Sequence, residues 1–273
     1  MKLCSKISLV FVILVISFTV LFAFLRHSSP LFSTDYKDII ASGTLRVVIE
    51  KNTMSYVVVN DTNVMGLQYK MVEQLAKDWG VTVQYIDASD LGSAINMLNN
   101  NEVDIVVWHI PIHVEMEDKI AFTVPVFTSR QVLVQRKNTP HTLIRNQLDL
   151  ARKTIHIPKD SPYKQRIQNL AKEIGDSIFI VEINEISIDS LFYKVANAEI
   201  DFTVCEKVVA SIEKKKYPTL DTETAIGFKQ NYAWAIRQNS SELQDSVNNW
   251  LNYFLETKEY NRIYQKYTHS RKQ

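Results

Sequence analysis

The chain has 273 residues, of which 46% are hydrophobic, 10% aromatic and 22% charged, so it has enough apolar side chains to bury the core of one large domain or two smaller ones. Lysine and arginine number 31 against 30 aspartate and glutamate residues, a balance that gives no general attraction to nucleic acid. The two cysteines, Cys4 and Cys205, are too few and too far apart for a disulfide framework or a structural zinc site.

The N-terminal segment is predicted to enter a membrane. Residues 7–25 are uncharged and contain no proline or glycine, and about 20 apolar residues span a bilayer. The run is longer than the core of a typical signal peptide and no small-x-small cleavage site follows, which favours an uncleaved signal anchor within residues 1–32 over a signal peptide. Lys2 and Lys6 before the run, against Arg26 after it, place the N-terminus in the cytoplasm. We therefore expect a periplasmic soluble domain anchored in the inner membrane, or secreted to the periplasm if the signal is cleaved.

The next part of the chain predicts a β-α-β-α-β series. Short β-rich runs alternate with helical patterns, which is typical of parallel α/β units. In the first of these helices the apolar residues recur at helical spacing, and Gly80 ends it. The predicted elements are a strand at 44–50, a helix at 67–79, a strand at 81–86, a helix at 93–100 and a strand at 103–108.

A second series of the same kind predicts a second lobe. Its elements are a strand at 154–157, a helix at 162–174, a strand at 178–183, a helix at 189–198 and a strand at 201–204. Residues 131–137 and 230–237 are strand-like and would carry the chain from one lobe to the other and back. Amphipathic helices over 243–267 follow the second crossover and are expected to pack on the first lobe. The predicted boundaries are 36–130 plus 231–273 for lobe one and 131–230 for lobe two.

Several short motifs, in this order, resemble the family 3 solute-binding proteins of bacterial amino-acid transporters. They are Gly43-Thr44-Leu45-Arg46-Val47, Gly66-Leu67 opening a helix that ends at Gly80-Val81, Leu98 followed by Asp104-Ile105, Phe122-Thr123-x-Pro125, and Ile263-Tyr264-x-Lys266-Tyr267. The resemblance covers about residues 38–268 and is similar in particular to the N-terminal, non-catalytic domain of membrane-bound lytic transglycosylase F. It implies an α/β, two-lobed type II periplasmic-binding-protein fold with two crossover hinge strands, here preceded by the predicted N-terminal transmembrane helix.

The resemblance also implies where lobe one would bind a ligand. The aromatic residue that covers the ligand falls on Tyr56, with Ser55 beside it. The strand end that faces the cleft falls on Trp108, His109 and Ile110. Ligands of α/β sheets lie outside the carboxyl ends of strands, which supports this second position. Tyrosine and tryptophan are also ordinary core residues, so simple packing is the alternative for both.

Two implied positions lie in lobe two. A small-residue turn at a helix N-terminus falls on Ser161, where free N–H groups favour an anionic ligand group. Ser161 followed by Pro162 is also ordinary helix capping, and Asp160 would oppose an anion. The acidic residue that holds a ligand ammonium falls on Glu206, for which a plain helix-start glutamate is the alternative.

Met116 departs from the family pattern. Amino-acid-binding relatives carry an arginine there, and its planar fork holds the ligand α-carboxylate with two parallel hydrogen bonds. A thioether cannot do so, and Gln68 replaces a frequent acidic residue early in a helix. The sequence therefore favours a peptide, a cell-wall fragment or an aromatic compound over a standard free amino acid.

No enzyme activity is predicted. The sequence lacks Gly-x-Ser-x-Gly, Walker A, Gly-x-Gly-x-x-Gly and His-Glu-x-x-His patterns, and it lacks the Glu-Ser pair that a lytic transglycosylase would need. His109, His113 and Glu115 resemble a metal-ligand set, but Pro111 breaks the helical spacing that would bring the histidines together. No metal and no cofactor are expected.

The predicted function is that of an extracytoplasmic solute-binding protein that closes on a small ligand for transport or sensing. The expected partners are a small-molecule or peptide ligand, the membrane through residues 7–25, and a membrane transporter or sensor. A different class stays open as the alternative: a peptidoglycan-associated, lytic-transglycosylase-like regulator without a catalytic domain of its own.

Overall fold

The computed structural model describes residues 34–59, 63–137 and 143–268. The predicted anchor at 7–25 lies outside the described residues, so it stays a prediction. None of the helices in the described ranges is both long and apolar enough to cross a membrane.

Ten of the described strands join one mixed sheet. The strands are β1 (Thr44–Ile49), β2 (Val57–Val59), β3 (Asn63–Met65), β4 (Thr82–Ile86), β5 (Ile105–Pro111), β6 (Ala121–Phe122), β7 (Phe127–Arg136), β8 (Thr154–Pro158), β9 (Phe179–Ile183), β10 (Phe202–Glu206), β11 (Leu220–Asp221) and β12 (Ala225–Ile236). The main order is β4-β1-β5-β12-β7-β10-β8-β9, with β6 paired to β12 and β11 to β7. β2 and β3 form a separate antiparallel pair.

Helices flank this sheet, and local signals set their ends. They are α1 (Tyr36–Ser42), α2 (Leu67–Trp79), α3 (Leu91–Asn99), α4 (Val114–Glu117), α5 (Tyr163–Ile174), α6 (Ile188–Ala196), α7 (Lys207–Lys216), α8 (Ser241–Phe254) and α9 (Lys258–Thr268), with a 3₁₀ turn at Gln147–Leu150. Asp35 caps α1 in a capping box, and Asp90 caps α3 by accepting the Ser93 N–H. Gly80 and Gly175 end α2 and α5 with left-handed backbones, at φ of 69° and 76°.

The sheet divides into two α/β halves joined by two long strands. In lobe one β1 is parallel to both β4 and β5, and in lobe two β8 is parallel to both β9 and β10. Between them lie β7 and β12, which are antiparallel to each other and contain most of each predicted crossover segment. The lobe boundaries given by residue number stay a prediction.

The first of the two C-terminal helices, α8, is held on lobe one by polar contacts. The Leu243 N–H donates to Asp35 at 2.6 Å, and Trp250 Nε1 donates to Asp78 of α2 at 2.8 Å. The last helix, α9, contacts α2 of lobe one and α7 of lobe two. It therefore touches both sides of the hinge.

A buried arginine joins the end of β12 to lobe one. Arg237 is 3% exposed and donates to the backbone carbonyls of Thr34 and Leu98. Asp104 lies between two cations, 2.6 Å from Arg46 and 3.5 Å from Arg237. Because this charge is compensated inside the protein, it fixes β1, β5 and β12 relative to one another.

Candidate functional site

A cavity of about 390 Å³ lies between the lobes, at the carboxyl ends of their parallel strands. Residues after β1 and β4 and at the end of β5 form the lobe-one wall, and residues after β8 and β9 form the lobe-two wall. Apolar side chains, including Trp108 and Leu91, alternate with polar ones, including Glu50 and His109. This volume and mixed lining are those of a small-ligand site.

His109 lies between two carboxylates, one from each lobe. Its side chain is 1% exposed, and Nδ1 is 3.4 Å from Glu50 Oε2 and 3.8 Å from Glu206 Oε2. These are ion-pair distances, whereas the His109 backbone N–H donates a hydrogen bond to Glu50 Oε2 at 3.1 Å. Nε2 lies 3.1 Å from the hydroxyl of Ser55. Nδ1 has no hydrogen-bond partner among the described residues, so Glu50 and Glu206 act on the ring through their charge.

The pKa shifts in this cluster agree with its geometry. Burial alone lowers the pKa of His109, but the charges of Glu50 and Glu206 outweigh burial and raise it. Burial raises the pKa of Glu50; the charge of His109 opposes that shift and Glu206 adds to it. Burial and then Glu206 raise the pKa of Tyr163 well above its usual value, so its hydroxyl stays protonated. The pKa of His109 is therefore raised because two buried carboxyl groups face its ring.

A hydrogen-bonded chain connects His109 to a crossover strand. Gln68 Nε2 donates to Ser55 Oγ at 3.0 Å, and Trp234 Nε1 in β12 donates to Gln68 Oε1 at 2.5 Å. These side chains are buried, so each bond satisfies a group that water cannot reach. Gln68, which replaces a frequent acidic residue of the family, thus positions the Ser55 hydroxyl next to the imidazole ring of His109.

Glu206 lies behind His109 and does not line the 390 Å³ cavity. It is fully buried, and its Oε2 accepts the Tyr163 hydroxyl at 2.7 Å. A molecule in this cavity would meet Glu50 and His109, with Glu206 one layer deeper. The role of Glu206 in holding a ligand ammonium stays a prediction.

Trp108, His109 and Ser161 line the 390 Å³ cavity, and Ser161 also borders a second one. This second cavity, of about 450 Å³, is lined by Ile110 and Met116. It also contains His113, whose pKa is lowered by burial. Met116 therefore lies in the cleft, as its position in the family motif implies, but in a compartment separate from Trp108.

Tyr56 borders a third cavity, of about 480 Å³, together with Asn52 and Asp189. Its ring also packs against those of Tyr69 and Tyr85, with both centroids 5.6 Å away. Tyr56 is thus both a core residue and a cleft residue. Ser55 beside it is fully buried and lines none of the three cavities.

The three cavities adjoin along the cleft. The first and third share the wall residues Lys51, Asp87 and Ser187. The first and second share Leu91, Ser161 and Pro162. The cleft is therefore an extended groove of three compartments, with Trp108 and His109 in the central one.

The lobes touch each other across this groove. Lys159 Nζ of lobe two lies 4.0 Å from Asp90 Oδ2 of lobe one. Gly92 in α3 approaches Asp160 so closely that an added Cβ would lie 2.7 Å from Asp160 Oδ2. The structure thus shows a closed arrangement in which a side chain at position 92 would have to displace the Asp160 carboxylate.

Within the described residues, no group of three His, Cys, Asp or Glu side chains is arranged to hold a metal ion. His109 faces the central cavity and His113 faces the second one, so the structure does not bring these two histidines to one site.

Sequence reasoning missed two residues of the cluster around His109. Glu50 directly follows β1, so the strand-end argument applied to Trp108 would have identified it. Tyr163 begins α5 as an ordinary apolar position and gave no signal.

The sequence profile of the bacterial extracellular solute-binding proteins, family 3, matches residues 45–270. Among curated proteins, membrane-bound lytic murein transglycosylase F of Desulfosudis oleivorans is 25% identical over 225 residues, covering 82% of this chain and 48% of that protein. The enzyme of the same name from Vibrio cholerae is 26% identical over 212 residues, covering 73% and 39%. The chain thus spans less than half the length of these curated relatives.

Solved structures with the same fold include binding proteins for amino acids. An ancestral arginine-binding protein bound to arginine superposes with a TM-score of 0.72 at 23% identity, covering 82% of this chain and 98% of that one. The P235GK mutant of ArgBP from T. maritima gives a TM-score of 0.75 at 20% identity, covering 86% and 99%. At this identity they confirm the predicted two-lobed fold and nothing finer.

Proposed function

The chain belongs to the bacterial extracellular solute-binding proteins of family 3, and from this we propose that it is an extracytoplasmic receptor whose lobes close on a small ligand for transport or sensing. The observation that supports the proposal is the 390 Å³ cavity. Both lobes contribute walls to it, and Trp108 and His109 line it. We further propose that residues 7–25 anchor this domain in the inner membrane, with the soluble part in the periplasm.

The ligand that fits best is longer than one amino acid. Three adjoining compartments form the groove, and among the described residues its cations are lysines, including Lys119 in the second compartment, and not the arginine fork expected for an α-carboxylate. Met116 replaces the expected arginine, while Lys51 and Lys159 of the central cavity already pair with Asp87 and Asp90. A peptide or a cell-wall fragment could place its backbone along the groove and one apolar group against Trp108.

The curated relatives favour a cell-wall fragment among these ligands. They are named as lytic murein transglycosylases, and this chain matches less than half of each. A second candidate function follows: binding of such a fragment regulates a separate peptidoglycan enzyme. In either case we propose that the domain binds and does not catalyse.

The test is calorimetry on the full chain in detergent with free amino acids, short peptides and muropeptides. We expect a muropeptide or peptide to bind at least tenfold more tightly than any free amino acid. Trp108→Ala should weaken that binding by roughly tenfold or more, because a buried aromatic contact contributes about 1.5 kcal/mol or more. Phe228→Ala, which removes an aromatic side chain that is 87% exposed and outside the cavities, is the matched control.

Two results would count against the proposal. Equal weakening by Phe228→Ala and Trp108→Ala would show that the central cavity is not the site. Release of muropeptides from purified peptidoglycan by this chain alone would show an enzyme instead of a binder.

A further inference from the structure

A second polar cluster joins the lobes away from His109. The Thr53 cluster consists of Thr53, in the turn between β1 and β2 of lobe one, and three charged residues of lobe two: Asp189 of α6 and Glu213 and Lys216 of α7. The Thr53 hydroxyl oxygen lies 2.7 Å from Asp189 Oδ2, contacts Glu213 Oε1, and accepts from Lys216 Nζ at 2.9 Å. One hydroxyl of lobe one therefore has three charged partners across the lobe boundary.

The hydrogen atoms in this cluster can be counted. A threonine hydroxyl has one proton to donate and two lone pairs to accept with. Lys216 occupies one lone pair and also donates to Glu213 at 2.8 Å. If both carboxyl groups are ionised, Thr53 can donate to only one of Asp189 and Glu213, and the other oxygen–oxygen contact is repulsive. One additional proton, on a carboxyl group, turns that contact into a hydrogen bond.

The buried groups around Asp189 also favour one additional proton in the Thr53 cluster. Asp189 Oδ1 and Glu213 Oε2 are buried and find no hydrogen-bond partner among the described residues. The lone cation facing the pair within the cluster is Lys216, and the nearby Cys205 thiol of β10 stays neutral because burial raises its pKa. Lys51 and Asp87, which border the same cavity as Asp189, pair with each other at 2.7 Å. Burial and then Glu213 raise the pKa of Asp189 to about 6, against the opposing effects of the Thr53 hydrogen bonds and the Lys216 charge, so burial is the contribution that closing the lobes can increase.

We propose that closing the lobes takes up one proton at Asp189, so that the Thr53 cluster is a pH-sensitive latch that holds the closed state at acidic pH. The latch lies on a contact between the lobes themselves, and Asp189 also borders the third compartment, so the proposal is tested without ligand. In the open state Thr53 leaves, and Asp189 regains water.

The direction and size of the effect follow from linkage. An aspartate in water titrates near 3.9, and Asp189 in the closed state at about 6, so closure binds a proton between these values. A raised pKa favours the closed state as the pH falls, and this preference is lost as the pH rises through about 6. Because Glu213 and Lys216 belong to the same lobe as Asp189 and act on it in the open state too, roughly tenfold is the upper bound for the fall in the ratio of closed to open protein between pH 5 and pH 8.

Spin-label distance measurements on the full chain in detergent test this. Labels at Asn100→Cys, after α3 of lobe one, and Lys172→Cys, in α5 of lobe two, report closure in a Cys4→Ser background; both positions are exposed, whereas Cys205 is buried. The key variant is Asp189→Asn, whose amide can donate to Thr53 at every pH. The matched control is Asp149→Asn, the same change at an exposed aspartate of lobe two.

We expect the closed fraction to fall between pH 5 and pH 8 in the starting protein and in Asp149→Asn, and to stay constant in Asp189→Asn. If the protein is closed at both pH values, thermal denaturation of the same proteins gives a second measurement: Asp189→Asn should then melt above Asp149→Asn by more at pH 8 than at pH 5, because the penalty for ionising Asp189 grows as the pH rises from about 3.9 to about 6. A pH response that is the same in both variants, in distance and in melting temperature, would overturn the proposal.

Discussion

Replacing His109 by glutamine tests whether a buried imidazolium holds the two lobes together. Glutamine is neutral at every pH, so the variant leaves Glu50 and Glu206 facing each other without a cation. Removing one partner of a buried ion pair costs about 3–5 kcal/mol, and the amide can recover about 1 kcal/mol through one hydrogen bond. We therefore expect a loss of about 2–4 kcal/mol near pH 5.5, which for a domain of this size lowers the melting temperature by roughly 4–16 °C.

The pH dependence of this loss of stability in His109→Gln is the stronger test. The folded-state pKa of His109 is raised, so its contribution is fully present below the unfolded value of about 6.5 and is lost as the pH rises through the raised folded value. The difference in melting temperature between the starting protein and His109→Gln should thus be largest near pH 5.5 and shrink toward alkaline pH.

Thermal denaturation followed by circular dichroism between pH 5.5 and pH 9 measures this difference. His113→Gln is the control, because that histidine is half-buried and burial lowers its pKa, so it contributes no buried positive charge. We expect it to change stability by about 0.5 kcal/mol or less. A difference for His109→Gln that is absent at pH 5.5, or that grows with pH, would show that the folded protein holds this ring neutral.

Two other substitutions probe the fold and the closed cleft. Arg237→Met leaves several buried carbonyl groups without their donor, so it should destabilise the protein by about 3–5 kcal/mol in urea unfolding; a loss below about 1 kcal/mol would contradict the role given to Arg237. Gly92→Ala should weaken ligand binding modestly without lowering the melting temperature, because alanine favours the helix while its Cβ displaces the Asp160 carboxylate only when the lobes are closed. The double variant with Asp160→Gly should restore binding, and failure to do so would place the defect elsewhere.

Local patterns were enough to predict most of the elements, and pairing partners explain the errors. The predicted strand at 103–108 continues in the structure to Pro111, since β12 pairs with this end and places Tyr232 opposite Pro111. The helix predicted from residue 93 begins at Leu91 because Asp90 is its cap. A single-sequence reading sees neither the partner strand nor which of several aspartates makes the cap.

From the sequence, site residues could be predicted only where they lie at the end of a single predicted strand. Trp108 and His109 could be placed at the cleft because both follow from the position of β5. The cluster around His109 brings Glu50 of β1's end together with Glu206 at the end of β10, and the Thr53 cluster brings a turn of lobe one onto two helices of lobe two. Such pairings depend on how far the lobes close, which spacing along the chain does not encode.

The raised pKa of His109 also constrains the ligand. Glu206 is the position from which relatives would hold a ligand ammonium, yet in the closed protein the ring of His109 faces it and Tyr163 donates to it. A ligand ammonium could reach Glu206 only beside or in place of that ring, and when the ring is protonated two like charges at such a distance in a buried site repel strongly. Binding of a free amino acid there should therefore weaken at acidic pH, where the raised pKa of His109 favours the charged ring. A ligand that places an uncharged amide or sugar group near His109 avoids this conflict, and this is the reason for proposing such a ligand for the closed groove.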